Sequence, residues 1–230
     1  MNTHSLWNTH VARQKKMADK RADDKRQRIL IGAIKVFSSK GFHGSKVSDI
    51  AREAGVADGT IYLYFKNKDD ILIQLFEESL KVLLNDMRKA LAEESDPMKK
   101  IRTFIRMHLE SVEKYQSLAE VMQVELRQSS KFMKEYTPKR FGEYLNIISE
   151  TIRKGQEADL IRKDLHPAMI KRAIFGAMDE IALGWVLGKQ RKRKSYELTE
   201  CADKLSDIFL AGLVLPQAKA GSSVDKLDGK

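Results

Sequence analysis

The chain is 230 residues long, enough at about 150 residues per domain for one large domain or two small ones, which excludes the small folds stapled by disulfides. Lys and Arg number 42 against 32 Asp and Glu, a formal charge of +10, and the isoelectric point near 9.5 directs the protein toward a polyanion such as nucleic acid or anionic lipid. The single Cys201 cannot form an internal bridge or a zinc cluster and fits a reducing compartment.

In chain order, residues 1–18 are polar and aperiodic and lack an apolar run of signal-peptide length; they are expected to form a disordered basic leader on a cytoplasmic protein. Residues 11–28 hold eight Lys or Arg and three Asp, half of the net charge. Such an arm can contact phosphates or enter a minor groove, or simply stay solvated. Ile29, Leu30, Ala33, Val36 and Phe37 then repeat at helical spacing up to Gly41, a C-terminal stop. A second helix carries Val47, Ile50, Ala51 and Ala54 and stops at Gly55. A third spans about residues 58–65. A fourth runs from Lys68 to about Glu93 with Leu72, Leu75, Phe76, Leu83 and Met87, roughly 35 Å long at 1.5 Å per residue.

Five more helices follow: around residues 101–112, 118–126, 141–152, 168–187 and 198–215. Pro97, Pro138 and Pro167 stand at helix starts after a polar residue, and Pro216 is a stop. There is no sustained alternation of the strand type and no hairpin dipeptide between β-branched runs. The most membrane-like stretch, residues 173–188, is interrupted by Asp179 and Glu180 and cannot cross ~30 Å of hydrocarbon, so no membrane partner is expected. The expected fold is all-α with about nine helices: a three-helix DNA-binding domain over residues 19–68, a ligand-binding and dimerisation domain over 69–216, and a disordered tail over 217–230.

Two short helices joined at Gly55 make a helix-turn-helix, whose second helix enters the major groove. At 100° per residue Ile61 and Phe65 face the core, while Thr60, Leu63 and Tyr64 face outward. Tyr62 lies at the flank, open to either a core or a DNA role. Hydroxyls of Thr60, Tyr62 and Tyr64 suit phosphates or base edges, Leu63 suits a thymine methyl, and Lys46, Lys66 and Lys68 supply charge. Lys68, at a helix start, can hold a phosphate together with backbone N–H groups, and Ser45 can cap the second helix and face the DNA backbone.

Gly41-Phe42-His43, Ile50-Ala51, Ala54-Gly55-Val56 and the run from Gly59 to Lys68 resemble the N-terminal domain of the TetR family of one-component transcriptional repressors, over about residues 25–75. Ala57 departs from the Ser or Thr cap usual before that family's recognition helix; Asp58 can offset the helix dipole or accept from a cytosine amine. The resemblance implies a homodimer on a palindromic operator, released by a small-molecule effector. The apolar helix at 168–187 and the one at 198–215, with small residues at Gly176, Ala177, Gly184 and Gly212, suit a four-helix dimer interface through Ile174, Ala177, Ile181, Gly184, Leu205, Ile208, Phe209 and Gly212.

The helices between would then enclose the effector, with Phe104, Met122, Leu126, Tyr144, Ile148, Phe175, Met178 and Trp185 as lining or as ordinary core. Residues 56–73, 123–129 and 174–186 are also similar to the TetR-type FadR regulators of fatty-acid degradation. That likeness implies a long-chain acyl-CoA effector and control of fatty-acid metabolism, with Arg127, then Lys131 and Lys134, near the CoA phosphates and Gln123 among the ligand-binding residues. Glu125 and Asp179 fall on apolar faces, and buried carboxylates must be paired. Arg127, Gln123 and Arg172 are the partners on offer, for a structural salt bridge or for orienting a ligand.

The basic run at 189–194 can reach a phosphate or remain a solvated loop. No catalytic residue, metal site or cofactor is expected: His4, His10, His43, His108 and His166 lack ligand spacing, and His43 and His108 read as satisfied structural groups. The rival readings are a TetR-type repressor responsive to drugs or other apolar ligands, a bare architectural nucleic-acid binder, and a protein that binds or hydrolyses acyl-CoA without operator specificity.

Overall fold

The structure, a computed structural model, describes residues 23–137, 139–190 and 196–214. The expected leader and tail, Pro138, Pro216 and the side chains of the 189–194 cluster lie outside the described residues. The described residues form ten α-helices: α1 over 23–40, α2 (Val47–Ala54), α3 (Asp58–Ile61), α4 (Lys68–Ala92), α5 (Pro97–Lys114), α6 (Gln116–Glu120), α7 (Ser130–Lys134), α8 (Lys139–Glu157), α9 (Pro167–Gln190) and α10 (Leu198–Leu213). Among the described residues no strand forms; one isolated bridge pairs Ile161 with Val214. The chain divides into two compact units, one running through Phe76 and including Glu120–Tyr136, the other made of Glu77–Ala119 and the residues from Thr137 on. The boundary therefore falls inside α4, eight residues later than the expected one, and the front unit recruits a distant segment.

In the front unit α1 buries Ile29, Leu30, Ala33, Val36 and Phe37. It begins no later than residue 23, so Lys25, Arg26 and Arg28 belong to the helix and not to a leader before it. Gly41 at φ +73 and Gly55 at φ +64 end α1 and α2 in the left-handed region that favours glycine. The Val56 amide closes the second stop on Ala51 O at 3.0 Å. α4 starts at a cap that the sequence reading overlooked: Asn67 Oδ1 accepts from the Asp70 amide at 2.9 Å, and Asp70 returns a carboxylate oxygen to the Lys66 amide at 2.9 Å.

The segment recruited from further along the chain is irregular. α6 widens into a π-turn at Val121–Glu125, tightens into a 3-10 turn at Leu126–Gln128, and restarts as α7. Ser129 caps α7 by accepting from the Phe132 amide at 3.1 Å, and its hydroxyl donates to Asp69 at 2.7 Å. Phe132 meets Phe76 edge to face at 5.1 Å. The single helix expected over 118–126 is thus a chain of short turns, and α7 is additional.

In the second unit Asp96 caps α5 by accepting from the Met98 amide at 2.8 Å, with Pro97 at the first helical position. Ile101, Phe104, Ile105 and Leu109 of α5 pack with Tyr144, Ile148 and Ile152 of α8 and with Ile174, Met178, Ala182 and Trp185 of α9 in one buried core. α10 lies along α5, where Arg102 reaches Asp207 at 2.7 Å and Arg106 reaches Asp203 at 2.5 Å. These pairs are solvent-exposed, so each contributes at most about 1 kcal/mol. Among the described residues α9 is not covered on every side: Ala173, Gly176, Glu180 and Gly184 are exposed.

Candidate nucleic-acid interface and ligand core

The helix-turn-helix presents its side chains largely as the spacing predicts. Ile61 and Phe65 are buried, while Leu63 is 79% and Tyr62 59% exposed, which places Tyr62 outside the core. Lys46 and Lys66 are exposed, and Thr60 and Tyr64 half-buried. The recognition helix itself is shorter than expected. Regular α-structure ends at Ile61, and tighter bonds from Leu63 N to Thr60 O at 3.2 Å and Tyr64 N to Ile61 O at 3.0 Å carry the chain on to Phe65. Ala57 offers no side-chain cap, and Asp58 stands in the first turn, where its charge offsets the positive helix end.

Two residues expected at the phosphates, Ser45 and Lys68, have hydrogen-bond partners within the front unit. Ser45 is buried, and its hydroxyl donates to Gly41 O at 2.5 Å; Lys46, not Ser45, occupies the capping position of α2. The Lys46 amide donates to Asp49 at 3.1 Å. Lys40 and that amide together hold the Asp49 carboxyl below its ordinary range. Lys68 directs its ammonium to Phe42 O at 2.6 Å and Ser45 O at 2.9 Å, 4.5 Å above the Phe42 ring. Arg26 likewise bonds Gln74 at 3.0 Å and sits over the Phe65 ring.

Glu125 is buried, as its apolar face predicts, yet its partner is neither Arg127 nor Gln123. Its carboxylate accepts from the Phe42 amide at 2.5 Å. Both backbone polar groups of Phe42 are therefore held, its N–H by Glu125 and its C=O by Lys68. Arg127 is exposed and folds back onto the carbonyl and side-chain oxygens of Gln123. Met122, Gln123, Leu126 and Arg127 all belong to the front unit, so the structure does not join them to the other expected ligand residues in one compact body.

The second unit gathers the rest. Phe104, Tyr144, Ile148, Met178 and Trp185 are buried, and Phe175 and Asp179 are half-buried beside them. The aromatic rings pack closely: Phe104 and Tyr144 tilted at 4.8 Å, Phe141 and Phe175 edge to face at 5.0 Å. Tyr144 Oη lies 2.8 Å from His108 Nδ1. Burial pushes the His108 pKa down to about 4, with the Asp179 charge opposing, and pushes the Tyr144 phenol well up, with Asp179 adding. An open groove of about 490 Å3 also marks this unit; Arg88, Leu91, Pro97, Lys100, Ile147 and Lys154 border it, and none of the expected ligand residues does. Among the described residues no cluster of His, Cys, Asp and Glu could hold a metal ion, and no helix is long and apolar enough to cross a membrane.

Comparison with known proteins accounts for both halves. Residues 29–75 match the family model of bacterial regulatory proteins of the tetR family, and residues 76–212 match that of the C-terminal region of YsiA-like proteins. The chain belongs to the TetR family.

Its relatives narrow the comparison. The fatty acid metabolism regulator protein of Bacillus subtilis is 34% identical over 189 residues, covering 82% of this chain and 95% of that protein. The fatty acid degradation regulator FadR of Bacillus halodurans superposes with a TM-score of 0.76 at 34% identity over 82% of this chain and 95% of that one. FadR of Bacillus subtilis, solved in complex with stearoyl-CoA, superposes at 0.75 with 34% identity over 81% of this chain and 98% of that one. This TetR-family chain is thus a helix-turn-helix transcriptional regulator similar to FadR.

Two sets of expectations need correction. Of the dimer residues, Ile174 and Leu205 point into the protein's own core, at 0% and 8% exposure. Gly184, Ile208 and Gly212 are exposed, and Ala177, Ile181 and Phe209 are half-buried. His108, read as a satisfied structural histidine, is satisfied at one nitrogen only among the described residues, where Nε2 is buried without a partner. Helical spacing put His108 on the inner side of α5 beside Leu109 and Ile105, but spacing carries no information on whether both ring nitrogens are paired.

Proposed function

We propose that the protein is a homodimeric repressor that binds a palindromic operator, lets go when long-chain acyl-CoA occupies the second unit, and so controls fatty-acid metabolism. The observation that carries this reading is the similarity over four-fifths of the chain to FadR, a protein solved with stearoyl-CoA. Thr60, Tyr62, Leu63, Tyr64, Lys46 and Lys66 are the groups proposed to meet DNA, with Ser45 and Lys68 shaping the turn behind them. Phe104, Tyr144, Ile148, Phe175, Met178, Asp179 and Trp185 are proposed to receive the acyl chain. The exposed small-residue face of α9 and the exposed Ile208 and Gly212 of α10 are proposed to pair across a two-fold axis, which spaces the recognition helices about 34–36 Å apart.

The reading makes the protein a binder with no chemical step. Acyl-CoA must bind the released conformation better than the DNA-bound one, or it cannot shift the balance between them. The test is operator selection from random duplexes followed by gel retardation with and without stearoyl-CoA. The expected outcome is a selected inverted repeat, retarded at low salt, weakened steeply by salt, and released by stearoyl-CoA in the micromolar range or below. Equal retention of random and selected duplexes, or turnover of acyl-CoA by the protein, would defeat the reading.

A further inference from the structure

Three polar side chains stand within the aromatic packing of the second unit: His108 on α5, Tyr144 on α8 and Asp179 on α9. Tyr144 is 1% exposed, its ring is packed against Phe104 and Phe141, and Phe175 stands edge-on to both Tyr144 and His108 at 6.3 Å. The Tyr144 phenol keeps its proton and the His108 imidazole is neutral, because burial disfavours the charged form of each. With the phenol donating to Nδ1 at 2.8 Å, the imidazole proton is assigned to Nε2. That atom and Glu77 Oε1 are the buried side-chain polar atoms without a hydrogen-bond partner among the described residues.

A buried donor without an acceptor is costly, and an incoming group that supplies the acceptor recovers the loss. The rings of Tyr144 and Phe175 lie against the imidazole, and the Asp179 carboxylate acts on it through its charge from α9; a molecule that enters among these rings can meet Nε2 with a single oxygen on an otherwise apolar body. Phe141 and Phe175 are only half-buried, so turning a ring edge aside exposes Nε2 without dismantling the core.

We propose that His108 Nε2 is the hydrogen-bond donor to one oxygen of the effector, with Phe104, Phe141 and Phe175 forming the apolar wall around it. The inference rests on the acyl-CoA reading and deepens it. Two oxygens fit the chemistry: the thioester carbonyl, which every acyl-CoA carries, and a hydroxyl or oxo group further along a modified chain. Either way His108 makes the protein distinguish an oxygen-bearing chain from a purely hydrocarbon one of equal length.

The experiment titrates the full-length protein with stearoyl-CoA, with S-octadecyl-CoA, which lacks the carbonyl, and with octadecyl thioethers of CoA bearing one hydroxyl. The wild type is expected to bind stearoyl-CoA about tenfold more tightly than S-octadecyl-CoA, the worth of one hydrogen bond in a buried site. The double variant H108F/Y144F, which removes both polar partners together, should bind the two alike, and H108Q should keep part of the preference. Recovery of the tenfold preference by a hydroxylated thioether, lost in H108F/Y144F, would support the donor role with the chain as the source of the oxygen. A 15N-labelled histidine spectrum of the wild type adds a test that needs no variant, since the Nε2 proton should move downfield on complex formation. Equal affinity for all ligands in the wild type, a preference that survives in H108F/Y144F, or an unmoved Nε2 signal would overturn the proposal alone. Failure of the wild type to bind any of the CoA compounds would overturn the acyl-CoA reading and this inference with it.

Discussion

His108 couples stability to pH. Its pKa near 4 in the folded chain lies below the ordinary value of 6.5 because burial disfavours the imidazolium. The unfolded chain therefore takes up the proton first as pH falls, and the folded state loses ground from about pH 6.5 down to about pH 4. At ~1.4 kcal/mol per unit the loss is at most about 3 kcal/mol. Urea unfolding at pH 7 and pH 4 should show this extra loss in the wild type and its absence in H108F/Y144F. That polar residues enter this core was legible from helical spacing, which put Tyr144 and Asp179 on inward faces and His108 on an apolar helix. Their pairing was not, because it depends on which atoms of three separate helices meet. Ser45 teaches the same lesson: a serine before a helix reads as a cap, yet the Gly41 carbonyl stands close enough to claim its hydroxyl.

At the level of elements, the segment Glu120–Tyr136 departs furthest from its expected form. Periodicity gives one helix with a buried carboxylate and offers Arg127, Gln123 or Arg172 as its partner. The chain instead makes a π-turn and a 3-10 turn that aim Glu125 at a backbone amide 83 residues away. A spacing rule reads contacts within one helix, and this contact crosses the length of the front unit. Glu125→Ala leaves a buried N–H unmatched and should destabilise the protein by about 2–3 kcal/mol in urea unfolding, whereas Glu125→Gln keeps an acceptor and should cost less than half of that. Equal losses for the two would show that packing volume, not the acceptor, matters at this position. The recognition helix was also overestimated: capping glycines and apolar spacing mark where α3 starts and which side faces inward, but not that its regular turns stop at Ile61.

For the whole molecule, the all-α class, the order of the main helices and the helix-turn-helix were readable because each rests on local signals: apolar spacing, Gly41 and Gly55 as stops, Asp96-Pro97 as a start. Membership of the two units was not, since it is decided by packing between segments far apart in sequence. The face proposed for pairing is only partly legible in the sequence. A near-uniformly apolar α9 says that some partner is needed, but only packing tells that Ile174 turns inward and Ile208, at 69% exposure, turns out. Ile208→Glu places a charge on the face proposed to pair, and should convert the dimer to monomer in light scattering at micromolar concentration and weaken operator binding at least tenfold. A variant that stays dimeric would move the interface elsewhere.

The backbone of Phe42 gives this architecture a built-in clock. Its one exchangeable hydrogen is covered by a carboxylate from a remote stretch of chain, while its oxygen is tied down from the start of α4. Solvent deuterium can reach that hydrogen only after the remote stretch lifts away, so the lifetime of a single backbone proton times how often the front unit opens.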